Sequence, residues 1–287
     1  MILITGATGF IGRSLLRALE RQGHPVRVFE GHINDLQQLS DALEGVDFVY
    51  HLASAEARGR PRHLQRIDVQ GTERLVRAAR RAEVQRLVVM SRLSADPNSL
   101  FPLPQAKGQV ERLVRQSGIP YTIVRSATLF GIEDRFLNVI ASLAAWTWPL
   151  LWLPNDGLVA VQPLWVEDLV SCLTSLLERP DLAGATISVA GEERLRYREL
   201  AQIVTEAAGL SRIPVKIDLR IVRPVRSLTM GWWRRPPVTQ FFLNRFSIPE
   251  VAPFDSVLRT FDFRPERLVD HLDYLRRPGL RRRLFRL

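Results

Sequence analysis

The first twelve residues, MILITGATGFIG, constrain this chain more than any other stretch. Ile2, Leu3 and Ile4 form a short apolar run that suits a buried parallel strand. Gly6, Gly9 and Gly12 then recur at intervals of three, and an amphipathic run follows at once. Leu15, Leu16 and Leu19 share one face of it, with Arg13, Arg17, Glu20 and Arg21 outside. The order is strand, glycine-rich turn, helix, and its physics suits a dinucleotide pyrophosphate. One glycine permits the tight turn, one lets backbone N–H groups approach the phosphates, and one lets helix pack on strand. The helix N-terminus offers the anion its free N–H groups and the positive end of its dipole. A tight strand–helix turn that holds nothing is the competing reading.

The rest of the chain predicts an α/β alternation. Strands are expected over 25–29, 47–53, 85–91 and 121–125, with helices over 35–43, 69–81 and 105–116. Two more segments, 159–165 and 186–190, return to the sheet region around a helix over 166–178, and 197–208 reads as an amphipathic helix. The basic stretch 54–66 and the proline-bearing stretch 92–104 read as loops. Only one strand and one helix fit between the first helix and His51-Leu52-Ala53, where a full doubly wound half has two such units. The expected fold is therefore a doubly wound parallel α/β (Rossmann) sheet lacking one edge strand–helix unit, with a small, mostly helical C-terminal cap. The expected division is a dinucleotide-binding domain over 1–192, with 127–158 contributing to the cap, and a smaller cap with a basic tail over 193–287.

Composition narrows the function. A single cysteine, Cys172, excludes an intrachain disulfide and a cysteine-based metal site, and no metal is expected. With no leader ahead of the first strand, the expected location is the cytoplasm. The net charge is +10, and all basic residues except Lys107 and Lys216 are arginine. A positive balance points to an anionic partner, and with no nucleic-acid module in sight a membrane surface or an acidic protein is the better match. Glu30, eighteen residues after Gly12, stands where a carboxylate meets the adenosine ribose and favours NAD(H) over NADP(H); a solvated loop glutamate is the alternative. Arg58, Arg60, Arg62 and Arg66 either reach phosphates or simply face water.

Several landmarks together resemble the extended and atypical short-chain dehydrogenase/reductases: TGATGFIG at 5–12, HLA at 51–53, DVQGT at 68–72, the strand ending in Ser91, Lys107, YTIVRSATLFG at 121–131 and VEDL at 166–169. The runs SRLSADPNS at 91–99, KGQVE at 107–111 and LFGIEDRFLN at 129–138 are similar to the nucleotide-binding accessory subunit of respiratory complex I and to NmrA-like proteins. The resemblance covers roughly residues 1–200. It implies a cofactor site built from Gly6, Thr8, Gly9, Phe10, Ile11, Gly12, Glu30, Leu52, Ala53, Ser91 and Lys107. It also exposes a gap. In the superfamily a tyrosine stands four residues before the lysine and acts as general acid–base, and here that position is Leu103, which has no proton to give. Ser91 and Lys107 are then remnants of a catalytic set. Lys107 either meets cofactor ribose or pairs with Glu111 at i,i+4.

One further segment stands apart. No charge occurs between Arg135 and Asp156, and FLNVIASLAAWTWPLLWLP carries Trp146, Trp148 and Trp152. It reads as a packed or partner-facing cap helix, as an interfacial anchor, or as a membrane span. Trp232, Trp233, Arg234 and Arg235 form a second aromatic–basic cluster, and the tail 276–287 holds six arginines. The leading expectation is a non-catalytic or weakly catalytic NAD(P)(H)-binding protein. Its role would be structural, sensing or complex-assembly, beside a membrane-bound complex or an anionic membrane surface. A working reductase, epimerase or dehydratase with another acid, and a scaffold without cofactor, remain the alternatives.

Overall fold

The computed structural model describes residues 1–58, 60–218, 220, 238–276 and 280. Six strands form one parallel sheet: β1 (Ile2–Thr5), β2 (Val26–Phe29), β3 (Phe48–His51), β4 (Arg86–Arg92), β5 (Tyr121–Ser126) and β10 (Ala185–Val189), in spatial order β10-β5-β4-β3-β1-β2. β2 is an edge, so the unit that would lie beyond it is missing, as the short spacing implied. The strands are apolar runs because both faces are covered. Ile2 and Ile4 pack into one layer with Leu15 and Leu19 of α1 (Phe10–Arg21) and with Leu169 and Leu173. Leu3 packs into the other layer with Leu39 and Leu43 of α2 (Leu36–Leu43) and with Leu75, Val110 and Val114. Asp35 caps α2, its carboxylate accepting from the N–H groups of Gln37 and Gln38.

Three segments differ from the sequence reading. The basic stretch is largely helical: α3 (Pro61–His63) runs through a π-helical turn, Leu64–Val69, into α4 (Gln70–Arg81). A wide turn of this kind re-aims side chains and often lies at functional sites. Next, α5 (Pro102–Arg115) begins three residues earlier than expected. Pro102 and Pro104 fit its first turn because the first N–H groups of a helix have no partner to lose. Finally, 159–165 does not join the central sheet. It splits into β8 (Ala160–Val161) and β9 (Leu164–Trp165) around Gln162 and Pro163. Pro163 has no N–H for a ladder. The Gln162 side chain donates to the Gly191 carbonyl and accepts from the Ala252 N–H.

β9 pairs with β6 (Leu129–Phe130), beside α7 (Val166–Ser175). A third apolar core forms the cap. It gathers α6 (Leu137–Trp146), β7 (Leu150–Pro154), α8 (Tyr197–Ala207), Phe242, Phe246 and Tyr274. Two small ribbons edge it, β8 with β11 (Leu195–Arg196) and β7 with β12 (Ile213–Ile217). The tryptophan-rich segment is thus a helix, a turn and a strand. No helix among the described residues is long and apolar enough to cross a membrane. The cluster 232–235 and most of the tail lie outside the described residues.

Candidate functional site

The site begins where β1 ends. Gly6 has φ +77°, and the Gly9 N–H donates to its carbonyl at 3.0 Å, closing the turn. A Cβ on Gly6 would lie 2.7 Å from the Ala53 nitrogen, and one on Gly12 would lie 2.2 Å from the Gly6 oxygen. These two glycines are required by the protein's own packing, and half-buried Ala53 is what Gly6 rests on. Gly9 differs: a Cβ there would meet only the Gly6 oxygen, at 3.1 Å. What it would fill is the cleft, which Gly9, Phe10, Ile11 and Leu52 line. Gly9 is also the N-cap of α1, which has no side-chain cap and no acidic residue in its first turn. The N–H groups of that turn are therefore presented to an incoming anion. Thr8 is exposed and does not line the cleft.

His51 ties the neighbouring motifs together. Its Nδ1 lies 2.7 Å from Thr5 Oγ1 and its Nε2 2.9 Å from Thr72 Oγ1, joining β1, β3 and α4. Burial, and then the charge of Lys107, press its pKa down to about 3. Beyond it, the π-helical turn buries Asp68. Its carboxylate accepts from Ser54 Oγ at 2.6 Å, from the Ala55 N–H at 2.8 Å and from Lys107 Nζ at 3.1 Å. Lys107, itself buried, lines the cleft with its charge held by Asp68, not by Glu111.

Glu111 serves Ser91. The Ser91 hydroxyl donates to Glu111 Oε1 at 2.6 Å. Burial opposes the Glu111 charge, but hydrogen bonds from Arg125 and Ser91, with Arg115 in support, hold its pKa below the usual carboxylate range. Leu103, one turn before Lys107, is buried against Ala55, Leu64 and Phe241. An apolar contact between α5 and the cap therefore occupies the place where the superfamily's hydroxyl would stand.

The far wall of the cleft is a buried ion network that no motif announced. Arg92, next to Ser91, makes a bidentate pair with Glu250 at 2.6 and 2.7 Å and reaches Glu56 at 3.2 Å. Arg245 pairs with Glu56 at 2.7 Å, and Thr128 donates to Glu250 at 2.6 Å. Burial disfavours the Glu56 charge, yet Arg92 and Arg245 overcome this and hold its pKa at about 2. Asp134 is a second hidden element. Fully buried, it accepts from the Phe136 N–H and from the Tyr274 hydroxyl, each at 2.7 Å, and so pins the start of α6 to the cap. Its cap on α6 is local, but the Tyr274 hydroxyl that completes it comes from 140 residues away, which no pattern in the sequence marks.

Glu30 is exposed at the carboxyl end of β2, one strand from the glycine turn. Arg58, Arg62 and Arg66 are exposed around His63, whose pKa is lowered by burial and then by these charges. The groups gathered at the strand ends can hold an extended dianion and its sugar hydroxyls. They do not include a hydroxyl acid at the position of Leu103.

Comparison with known proteins agrees. A family model described as NAD(P)H-binding matches residues 26–135. The mitochondrial 40 kDa subunit of NADH-ubiquinone oxidoreductase from Neurospora crassa is 25% identical over 80% of this chain. The match spans 66% of that protein, so this chain corresponds to about two thirds of its length. The photosystem II assembly factor Ycf39 of Synechocystis is 23% identical over 79% of this chain and 74% of its own. In structure, a short-chain dehydrogenase/reductase superfamily protein from Agrobacterium tumefaciens with bound NAD superimposes with a TM-score of 0.72. That alignment covers 100% of this chain and 98% of the other at 21% identity, which speaks to the fold alone. The chain thus carries an NAD(P)H-binding Rossmann domain and is similar in sequence to the complex I 40 kDa subunit and to Ycf39.

Proposed function

We propose that this protein holds a nicotinamide dinucleotide without turning it over, as a structural or sensing ligand within an assembly at a membrane. The observation that carries the reading is the fate of the three catalytic positions. Leu103 replaces the acid, Ser91 donates its hydroxyl hydrogen bond to Glu111, and Lys107 is paired with Asp68. The N–H groups at Gly9, Phe10 and Ile11 would receive the pyrophosphate. Lys107 would offer its remaining protons to ribose hydroxyls, and Glu30 would meet the adenosine ribose and favour NAD(H). A bound nicotinamide would supply hydride chemistry, but reducing a carbonyl also needs a proton donor, whose loss commonly costs about 10²–10⁴ in rate.

The assembly part of the reading draws on the relatives, which are a subunit of one membrane complex and an assembly factor of another. A peripheral place on the inner face of the cell membrane suits the positive charge. The test is to denature purified protein, chromatograph what it releases, and titrate the stripped protein with NADH and NADPH by fluorescence. Released dinucleotide, tighter binding of NADH and no oxidation with common ketones or aldehydes are expected. Absence of any binding would leave a scaffold without cofactor, and brisk turnover would place a working acid elsewhere in the cleft.

A further inference from the structure

The cap carries an apolar surface that the dinucleotide site does not use. β7 and β12 pair in parallel, with Trp152 opposite Val215 and Leu150 opposite Ile213. Side chains alternate across the ribbon. Leu151 and Leu153 point inward and are buried in the cap core. Trp152, Val215 and Ile213 point outward and are exposed by 53%, 38% and 61%. Trp148, in the turn entering β7, is 72% exposed, and Trp146, ending α6, is 51% exposed. Three exposed indoles within the seven residues 146–152 are far from the isolated exposed apolar residues that any surface carries.

We propose that this ridge, centred on Trp148 and Trp152, seats the protein on an anionic lipid surface. The proposal deepens the membrane part of the function above and rests on it, but it is independent of cofactor binding. Two observations favour lipid over protein as the occupant. First, the segment between Arg135 and Asp156 has no charged side chain to desolvate, and indole combines an apolar ring with one N–H, the chemistry that settles at the headgroup boundary. Second, the flank of the ridge is net basic: Arg212, Lys216 and Arg220 belong to or flank β12, against Asp156, which pairs with Lys216 at 3.1 Å, and Asp218. A net cationic flank complements phosphate headgroups and adds a salt-sensitive attraction to the apolar one. With no helix among the described residues able to span a bilayer, the contact is interfacial.

Flotation of the full-length protein with phosphatidylcholine vesicles, with and without phosphatidylglycerol, tests this directly. We expect co-flotation only with phosphatidylglycerol, weakened but not abolished by high salt. The double variant Trp148→Ser/Trp152→Ser should lose about tenfold in vesicle affinity while keeping NADH binding. As a measurement that does not depend on that variant folding, brominated phosphatidylglycerol should quench the wild-type tryptophan emission. The quenching should fall in Trp148→Phe/Trp152→Phe. Wild-type protein left at the bottom of a low-salt gradient, equal flotation of the serine variant, or quenching unchanged in the phenylalanine variant would each overturn the proposal. The dinucleotide reading is judged separately, by the NADH titration.

Discussion

At the scale of single residues, the three glycines of the turn do different jobs although they look equivalent in sequence. Gly12 touches the Gly6 oxygen and Ala7 so closely that any side chain must displace backbone. Gly9 has an ordinary φ of −77° and only one near neighbour. Gly12→Val should therefore cost several kcal/mol of stability, whereas Gly9→Val should stay within about 1 kcal/mol of the parent. Yet Gly9→Val should lower NADH affinity by tenfold or more if the pyrophosphate sits where proposed, since its branched side chain enters the cleft there. Urea unfolding together with NADH fluorescence separates the two, and a Gly9 variant that binds normally would remove the phosphate from this turn. The residues that carry this contrast were legible because their spacing is local. Lys107 was legible as a member of the cleft, but its partner was not. Asp68 falls between the loop read over 54–66 and the helix read from 69, and stands out in the sequence only as the first residue of DVQGT; nothing local marks the π-helical turn that aims it at Lys107.

At the scale of elements, His51 is the fastener between β1, β3 and α4. The fold keeps its ring neutral, with a pKa of about 3 against an ordinary 6.5. Its contribution is thus fully present above pH 6.5 and is lost as pH falls toward 3, by about 1.4 kcal/mol per pH unit. Asp168 acts in the opposite sense. Burial first, and then neighbouring acids, raise its pKa from 3.8 to about 6, so its contribution is present below 3.8 and lost as pH rises through 6. The two nearly share a window, and the difference between parent and variant isolates the histidine. His51→Gln should be less stable at pH 7.5 and should lose less stability than the parent between pH 6.5 and 4.5. Urea midpoints across that range measure it, and parallel curves would show that His51 is not held neutral. Parallel strands buried on both faces write themselves as apolar runs, so the sheet, its missing edge unit and most helices could be read in advance. Segment 159–165 misled because it is also apolar. Its strand pieces pair outside the central sheet, and the side-chain bonds of Gln162 that fix this reach across the sequence.

At the scale of the whole molecule, the question is what joins the dinucleotide domain to the cap. Cap residues Phe241, Phe242 and Arg245 help wall the cleft, and Leu103 packs on Phe241. A second link is electrostatic. Arg92 at the end of β4 and Glu56 after β3 interlock with Glu250 and Arg245 from the chain's last quarter. Arg92 and Glu250 are only 8% and 2% exposed, so neither charge can be satisfied by water if its partner goes. Such a network contributes little beyond a well-packed apolar substitute, but breaking it from one side leaves a buried charge uncompensated, at about 3–5 kcal/mol. Glu250→Ala should show a penalty of that size. Arg77→Ala is the control, because its 3.6 Å pair with Glu73 is more than half exposed on both sides and is worth at most about 1 kcal/mol. If the network also holds cap and sheet in register around the cleft, Glu250→Ala should weaken NADH binding even where the protein remains folded. Calorimetry with and without saturating NADH resolves the two effects. A loss of stability with unchanged cofactor affinity would mean that the network fastens the cap without shaping the site. No loss of stability would mean that Arg92 finds another partner when Glu250 is removed.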